Sequence, residues 1–223
     1  MSAPVAAPWP PRSDDAYRQQ AEAVLGPALA DRFAAVDLLV LDADGVLTSG
    51  AMYYGPRGEA LKAFHSHDGL GLVMARVAGL KRAVLTGRDS AIVARRCAEL
   101  RFDAVKLGRF DKLAALAEIL QETGCAAGRT LYVGDDLIDV PAMDAVGLAV
   151  CVPAAPAEVR ERCAWTTAAS GGQGAVREVT DLVLKASGRY GLALTRLADQ
   201  AWRPTPPELA SDETGQNPPQ EIQ

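Results

Sequence analysis

Five carboxylates in two clusters are the side chains of this sequence best suited to chemistry. In VLDADGVLT, Asp42 ends an apolar run and Asp44 follows one residue later; Gly45 tolerates the positive φ with which a chain curls after a strand. Two carboxylates at that spacing can enter one crevice, or they can make a plain turn in which Asp44 caps a helix or bonds to its own backbone. In GDDLID, Asp135, Asp136 and Asp139 follow a second apolar run. Carboxylates gathered in one crevice of low dielectric repel one another and demand a cation, and an all-oxygen set suits magnesium. Asp136 or Asp139 can also cap a helix, since Pro141 suits a first helical turn.

Between the clusters, VLTGRDS sets Thr86 and Gly87 at a strand end, with Asp89 or Ser90 placed to cap the helix AIVARRCAEL. A hydroxyl beside free N–H groups at a helix start makes an anion pocket of the kind that holds a phosphoryl group. An ordinary loop has the same composition. Lys112, at the front of DKLAALAEIL, is either a solvated surface charge or a point charge that neutralises a transferring phosphoryl group beside magnesium.

These residues need a scaffold that gathers strand ends. Short apolar runs VDLLVLD (36–42), RAVLTG (82–87), DAVKLG (103–108), TLYVGD (130–135) and LAVCV (148–152) alternate with helical patterns. Their continuous apolarity predicts strands covered on both faces: an α/β fold, a single Rossmann-like domain with a parallel sheet flanked by helices. In such sheets ligands sit beyond the carboxyl ends of the strands, where Asp42, Asp44, Thr86, Arg88, Lys112, Asp135 and Asp136 can converge. The interval from Asp42 to Thr86 reads as a β-hairpin flap after the first strand, SGAMYYG and EALKAFHSHDG around a Gly55-Pro56-Arg57-Gly58 turn, and leaves no room for a separate cap domain.

The domain spans 34–188. Before it, 1–33 forms an N-terminal extension with a helix over DDAYRQQAEAVLGPALADRF, where Tyr17, Ala21, Val24 and Leu25 share one face. After it, the polar, Pro-rich 189–223 reads as a largely disordered tail. The net charge of -5 over 223 residues, with a pI near 5.1, disfavours nucleic acid and anionic membrane as partners, so an anionic substrate must meet a local positive site. No leader pattern and no membrane-length apolar run is seen, and Cys97, Cys125, Cys151 and Cys163 lack CxxC spacing, so they read as small buried hydrophobes in a cytoplasmic protein.

The order DADGVLT, Thr86 in LTGR, Lys112 in FDKL, then GDDLID resembles the haloacid dehalogenase superfamily of phosphohydrolases. The resemblance implies that Asp42 is the nucleophile and Asp44 the general acid and base. It implies further that Thr86 and Lys112 hold the phosphoryl oxygens. Magnesium would be bound by Asp135, the Asp42 carboxylate and the Asp44 carbonyl, with Asp136 and Asp139 in support.

GEALKAFHSHDGLG, LTGR and SGGQGAVREV are similar to the 3-deoxy-D-manno-octulosonate 8-phosphate phosphatases, a lidless, homotetrameric branch serving lipopolysaccharide precursor synthesis. That likeness implies a magnesium-dependent phosphomonoester hydrolase whose hairpins associate and whose neighbouring subunits complete each site. Its substrate would be a small phosphorylated sugar acid near Arg88, Lys62 and Gly87. The related nononate 9-phosphate phosphatases carry an acid where this chain has Arg88. His67 and Gln173 depart from the pattern, each standing where the octulosonate family has Arg. His65 and His67 alternate, as metal ligands or as ordinary hydrogen-bonding groups. Gly171, Gly172 and Gly174 could cradle a ligand or form a turn before AVREVTDLVLKA. A signalling receiver module uses similar residues with the acidic pair first, the reverse of the order here. A non-catalytic assembly module would not need every catalytic side chain.

Overall fold

The computed structural model describes residues 9–198. Its first helix, α1 (Asp14–Leu25), starts where the Ser13 hydroxyl accepts the Ala16 N–H at 3.3 Å. It stops at Gly26, whose φ of 74° is followed by Pro27, and α2 (Pro27–Ala34) begins there. The leading segment therefore holds two helices where its sequence predicts one, because Pro27 has no N–H to continue the ladder of α1. Neither helix stands apart from the domain: Tyr17, Ala21 and Phe33 are fully buried, and the Phe33 ring meets Trp165 edge-on at 6.0 Å.

The chain then enters β1 (Leu38–Leu41) and the exposed hairpin of β2 (Tyr53–Gly55) and β3 (Gly58–Leu61). After it come α3 (Ser66–Val77), β4 (Lys81–Leu85), α4 (Ala91–Leu100), β5 (Ala104–Lys106) and α5 (Lys112–Thr123). The rest runs through β6 (Thr130–Gly134), α6 (Val140–Met143), β7 (Leu148–Cys151), α7 (Ala157–Arg160) and β8 (Trp165–Thr166) to α8 (Ala175–Ala186) and α9 (Tyr190–Ala198). Six strands form one parallel sheet in the order β5-β4-β1-β6-β7-β8. Strand β8 is absent from the sequence reading because two residues carry no pattern.

Alternate residues of each strand feed opposite faces. Leu39, Leu41, Val84, Leu131, Val133 and Val150 join the core under α1, α2, α3, α4 and α8, while Leu38, Val40, Ala83, Leu85, Tyr132 and Ala149 join the one under α5, α6 and α7. This three-layer arrangement explains the unbroken apolar runs, since β1, β6 and β7 are buried on both faces. No separate cap domain interrupts it: a turn, the hairpin and α3 fill the interval from Asp42 to Thr86. The segment read as tail opens as α9, which packs on α3 and brings Tyr190 to 4.8 Å from Tyr17, because Ala193, Leu194 and Leu197 fall toward α3. The remainder of that tail, 199–223, lies outside the described residues, as does 1–8.

Candidate active site

Three adjacent central strands, β4, β1 and β6, deliver Thr86, Asp42 and Asp135 to one edge of the sheet. The ladder carries one residue past each labelled end on two of them: Asp42 N–H donates to Val133 O at 3.0 Å and Thr86 N–H to Lys106 O at 2.9 Å. Both side chains thus stand on rigid backbone. After Asp42 the chain makes one wide helical turn, Ala43–Leu47, closed by Thr48 N–H on Ala43 O at 3.0 Å. Gly45 sits in it at φ 98°, and a side chain there would reach to 1.9 Å from Asp135 Oδ2. The close approach of the two acidic clusters requires this glycine.

Together these elements enclose a cavity of about 470 Å³. Asp42, Asp44, Thr86, Gly87, Arg88, Lys112, Asp135, Asp136 and Asp139 all line it. Lys112, the first residue of α5, is buried and reaches Asp42 Oδ1 and Asp139 Oδ1, both at 2.5 Å. It is no surface lysine. Asp139 is fully committed to protein donors: Oδ1 also accepts the Tyr132 hydroxyl at 2.8 Å, and Oδ2 accepts the N–H groups of Asp135 and Asp136 at 3.0 and 3.2 Å. Asp136 accepts the Leu137 N–H at 2.7 Å and so caps the short turn that follows. Ser90 caps α4 by accepting Val93 N–H at 3.3 Å. The Thr86 hydroxyl accepts Arg88 N–H at 3.4 Å.

Carboxylate oxygens of Asp42, Asp135 and Asp139 lie within 4.8 Å of one another. Burial, then the charges of Asp42, Asp139 and Asp136, push the Asp135 carboxyl up to about 8. Burial likewise pushes Asp42 up to about 7, against the pull of Lys112. One ammonium does not neutralise two buried carboxylates and a half-buried third. Because Asp139 has no acceptor capacity to spare, Asp42 and Asp135 are the pair left to hold a hard divalent cation, and an all-oxygen donor set of this kind fits magnesium.

Asp44 is held differently. Its Oδ1 accepts the Lys62 ammonium and, at 3.4 Å, the Thr48 hydroxyl. Its Oδ2 finds no hydrogen-bond partner among the described residues and faces Arg88 Nε at 3.8 Å. Arg88 is 45% exposed at the cavity mouth and donates to the Tyr54 hydroxyl at 3.2 Å. Lys62, read from sequence as a substrate contact, lies behind Asp44 instead, outside the cavity lining and with its side chain wholly removed from solvent. Burial pulls its ammonium down, but the bonds to Asp44 and Glu59 win and hold it above the ordinary lysine value.

The glycines of the 170–174 loop lie outside the cavity lining. Gly171 packs so closely behind the Ala43–Leu47 turn that an added Cβ would lie 1.6 Å from Gly45 O. His65 and His67 stack edge-on at 5.1 Å, and neither lines the cavity; Gln173 is also outside it. Four lining residues have no counterpart in the sequence reading: Gly50, Met52, Phe110 and Ile138. Phe110 is 75% exposed, between β5 and Lys112. An aromatic residue in a loop just beyond a strand end is the signal that could have flagged it.

Known proteins resemble this chain in sequence and in fold. The family described as haloacid dehalogenase-like hydrolase matches residues 105–179. The 3-deoxy-D-manno-octulosonate 8-phosphate phosphatase KdsC of Escherichia coli is 43% identical over 167 residues, 74% of this chain and 89% of that protein. Among solved structures, the Moraxella catarrhalis 3-deoxy-D-manno-octulosonate 8-phosphate phosphatase, in complex with magnesium, phosphate and KDO, superposes with a TM-score of 0.73 at 35% identity, covering 76% of this chain and 98% of that one. The cobalt-bound deoxy-D-mannose-octulosonate 8-phosphate phosphatase of Haemophilus influenzae gives a TM-score of 0.70 at 39% identity over 71% of this chain and 93% of its own.

Proposed function

Because the chain belongs to the 3-deoxy-D-manno-octulosonate 8-phosphate phosphatases of the haloacid dehalogenase-like hydrolases, we propose that it hydrolyses that sugar acid phosphate through an aspartyl-phosphate on Asp42. The products are the free sugar acid and inorganic phosphate, a step in making lipopolysaccharide precursors. One observation carries the reading: Asp42, Thr86 and Asp135 end three adjacent strands at a single cavity, with buried Lys112 bonded to the Asp42 carboxylate.

In the first step an Asp42 carboxylate oxygen attacks phosphorus in line, the bond from phosphorus to the sugar oxygen breaks, and Asp44 gives that oxygen its proton. In the second, Asp44 takes a proton from water, the water oxygen attacks phosphorus, and Asp42 is released. Lys112 and the Thr86 hydroxyl hold the phosphoryl oxygens throughout; Asp136 and Asp139 keep the acidic loop and Lys112 in place. Magnesium, bound by Asp42, Asp135 and the Asp44 carbonyl, supplies positive charge against the charge that builds on those oxygens. Arg88 and the Gly87 backbone receive the sugar acid; a guanidinium at the mouth of an acidic protein suits a carboxylate.

We infer a homotetramer from the hairpin, which leaves Tyr53, Tyr54 and Leu61 exposed on two strands that need a partner to be stable. No described helix is long and apolar enough to cross a membrane, and all four cysteines are free thiols; a cytoplasmic enzyme accords with both.

Phosphate release with magnesium, screened over 3-deoxy ulosonic acid phosphates and common sugar phosphates, tests the assignment. The octulosonate 8-phosphate should lead by more than an order of magnitude in kcat/KM. Equal turnover of generic sugar phosphates refutes it, and a lead by a nononate 9-phosphate moves the enzyme to the sister activity.

A further inference from the structure

Lys62 follows β3 by one residue, so the hairpin delivers it to the back of Asp44. Its Nζ donates to Asp44 Oδ1 and to Glu59 Oε1, the latter at 2.9 Å. The other Glu59 oxygen accepts the hydroxyl of Ser90, the residue that caps α4. Asp44, the hairpin and the start of α4 are thus joined through one buried ammonium. Burying an ammonium is costly unless it is paired, and two carboxylates with fixed geometry offset that cost here.

The arrangement divides the Asp44 carboxylate. Oδ1 is engaged by Lys62 and the Thr48 hydroxyl, while Oδ2 is buried, without a hydrogen-bond partner among the described residues, and turned toward Arg88 on the cavity side. A carboxylate held by one oxygen offers the other as a defined atom, and proton transfer requires that definition. We propose that Lys62 is a positioning residue for proton transfer: it fixes Asp44 through Oδ1, so that Oδ2 hands the proton to the departing sugar oxygen and later takes one from the attacking water. The proposal rests on Asp44 as proton donor. Lys62 does not line the cavity, and two of its three N–H donors are taken by Asp44 and Glu59, so its reach to the reaction runs through Asp44.

A leaving group that needs no proton separates this role from a merely structural one. p-Nitrophenolate departs as an anion, whereas a sugar alkoxide must be protonated. First-turnover phosphoryl transfer is measured by rapid quench on the full-length enzyme with magnesium, using the sugar acid phosphate and p-nitrophenyl phosphate. Lys62→Met is expected to slow transfer from the sugar ester by about 100-fold and from the aryl ester by no more than about threefold, with KM nearly unchanged. The water step, common to both esters, slows equally and produces a burst of nitrophenolate. Glu59→Gln, which keeps Lys62 but takes the charge from one of its anchors, should show the same pattern more weakly, and it carries the test if Lys62→Met fails to fold. Equal slowing of the two esters, or a change confined to KM, overturns the proposal. Asp44→Asn without leaving-group dependence overturns the reading of Asp44 on which it rests. A folded wild-type enzyme that ignores the sugar ester refutes the substrate assignment instead.

Discussion

Asp42, the nucleophile proposed above, also carries a share of the electrostatic strain of the site. Its charge faces those of Asp135 and Asp139, and Lys112 offsets them only in part. Asp42→Asn removes the proposed nucleophile and one of the repelling charges, while the amide oxygen can still accept from Lys112. Turnover should fall on the order of 10⁴-fold or more, with a melting temperature in magnesium-free buffer equal to or above wild type. Phosphate release and a thermal melt measured together check this, and an active Asp42→Asn enzyme removes the covalent route. Asp42, Thr86 and Asp135 were legible in the sequence because each interrupts an apolar run at a strand end. The seating of Lys62 was not legible, since it depends on how the hairpin folds back toward Asp44. Tyr132 was equally hidden: its place in a buried strand gives no hint that its hydroxyl reaches Asp139. Met52, Phe110 and Ile138 carry no chemistry that a search for reactive types would find.

The turn Ala43–Leu47 is shaped by what lies behind it. Gly171 and Gly172 press on it with backbone against backbone, so the contact cannot relax by moving a flexible side chain. Gly171→Ala should cost about 1 to 3 kcal/mol of stability, read from denaturant midpoints, and should lower kcat by at least about tenfold because it displaces the turn that presents Asp44. An alanine variant with unchanged stability and turnover would contradict this packing account. The strands were readable from composition because burial on both faces leaves a plain apolar signature. Helix boundaries were less so: Gly26-Pro27 splits one periodic stretch into α1 and α2, and the mostly apolar α9 was read together with the polar, Pro-rich stretch that follows it. The loop of 170–174 shows the limit most clearly, because a glycine-rich stretch has one composition whether it meets a phosphate or another piece of chain.

The molecule as a whole keeps its catalytic face open and its hairpin outward. Tyr53, 50% exposed, pairs with Leu61 on the free strands. In the proposed tetramer, Tyr53→Glu should break hairpin association, shifting the mass found by light scattering toward monomer, and should reduce turnover several-fold if a neighbouring subunit completes the site. A fully active monomer would dismiss the shared site. The contact of Gly171 with Gly45 also bears on how the enzyme comes into being. Gly45 belongs to the first quarter of the chain and Gly171 to the last. A ribosome making this protein has released every proposed reactive side chain by Asp139, yet the floor of the turn after Asp42 has still to emerge. The growing chain carries that chemistry before it can aim it, so the nascent enzyme should stay silent until the 170–174 loop has packed behind that turn.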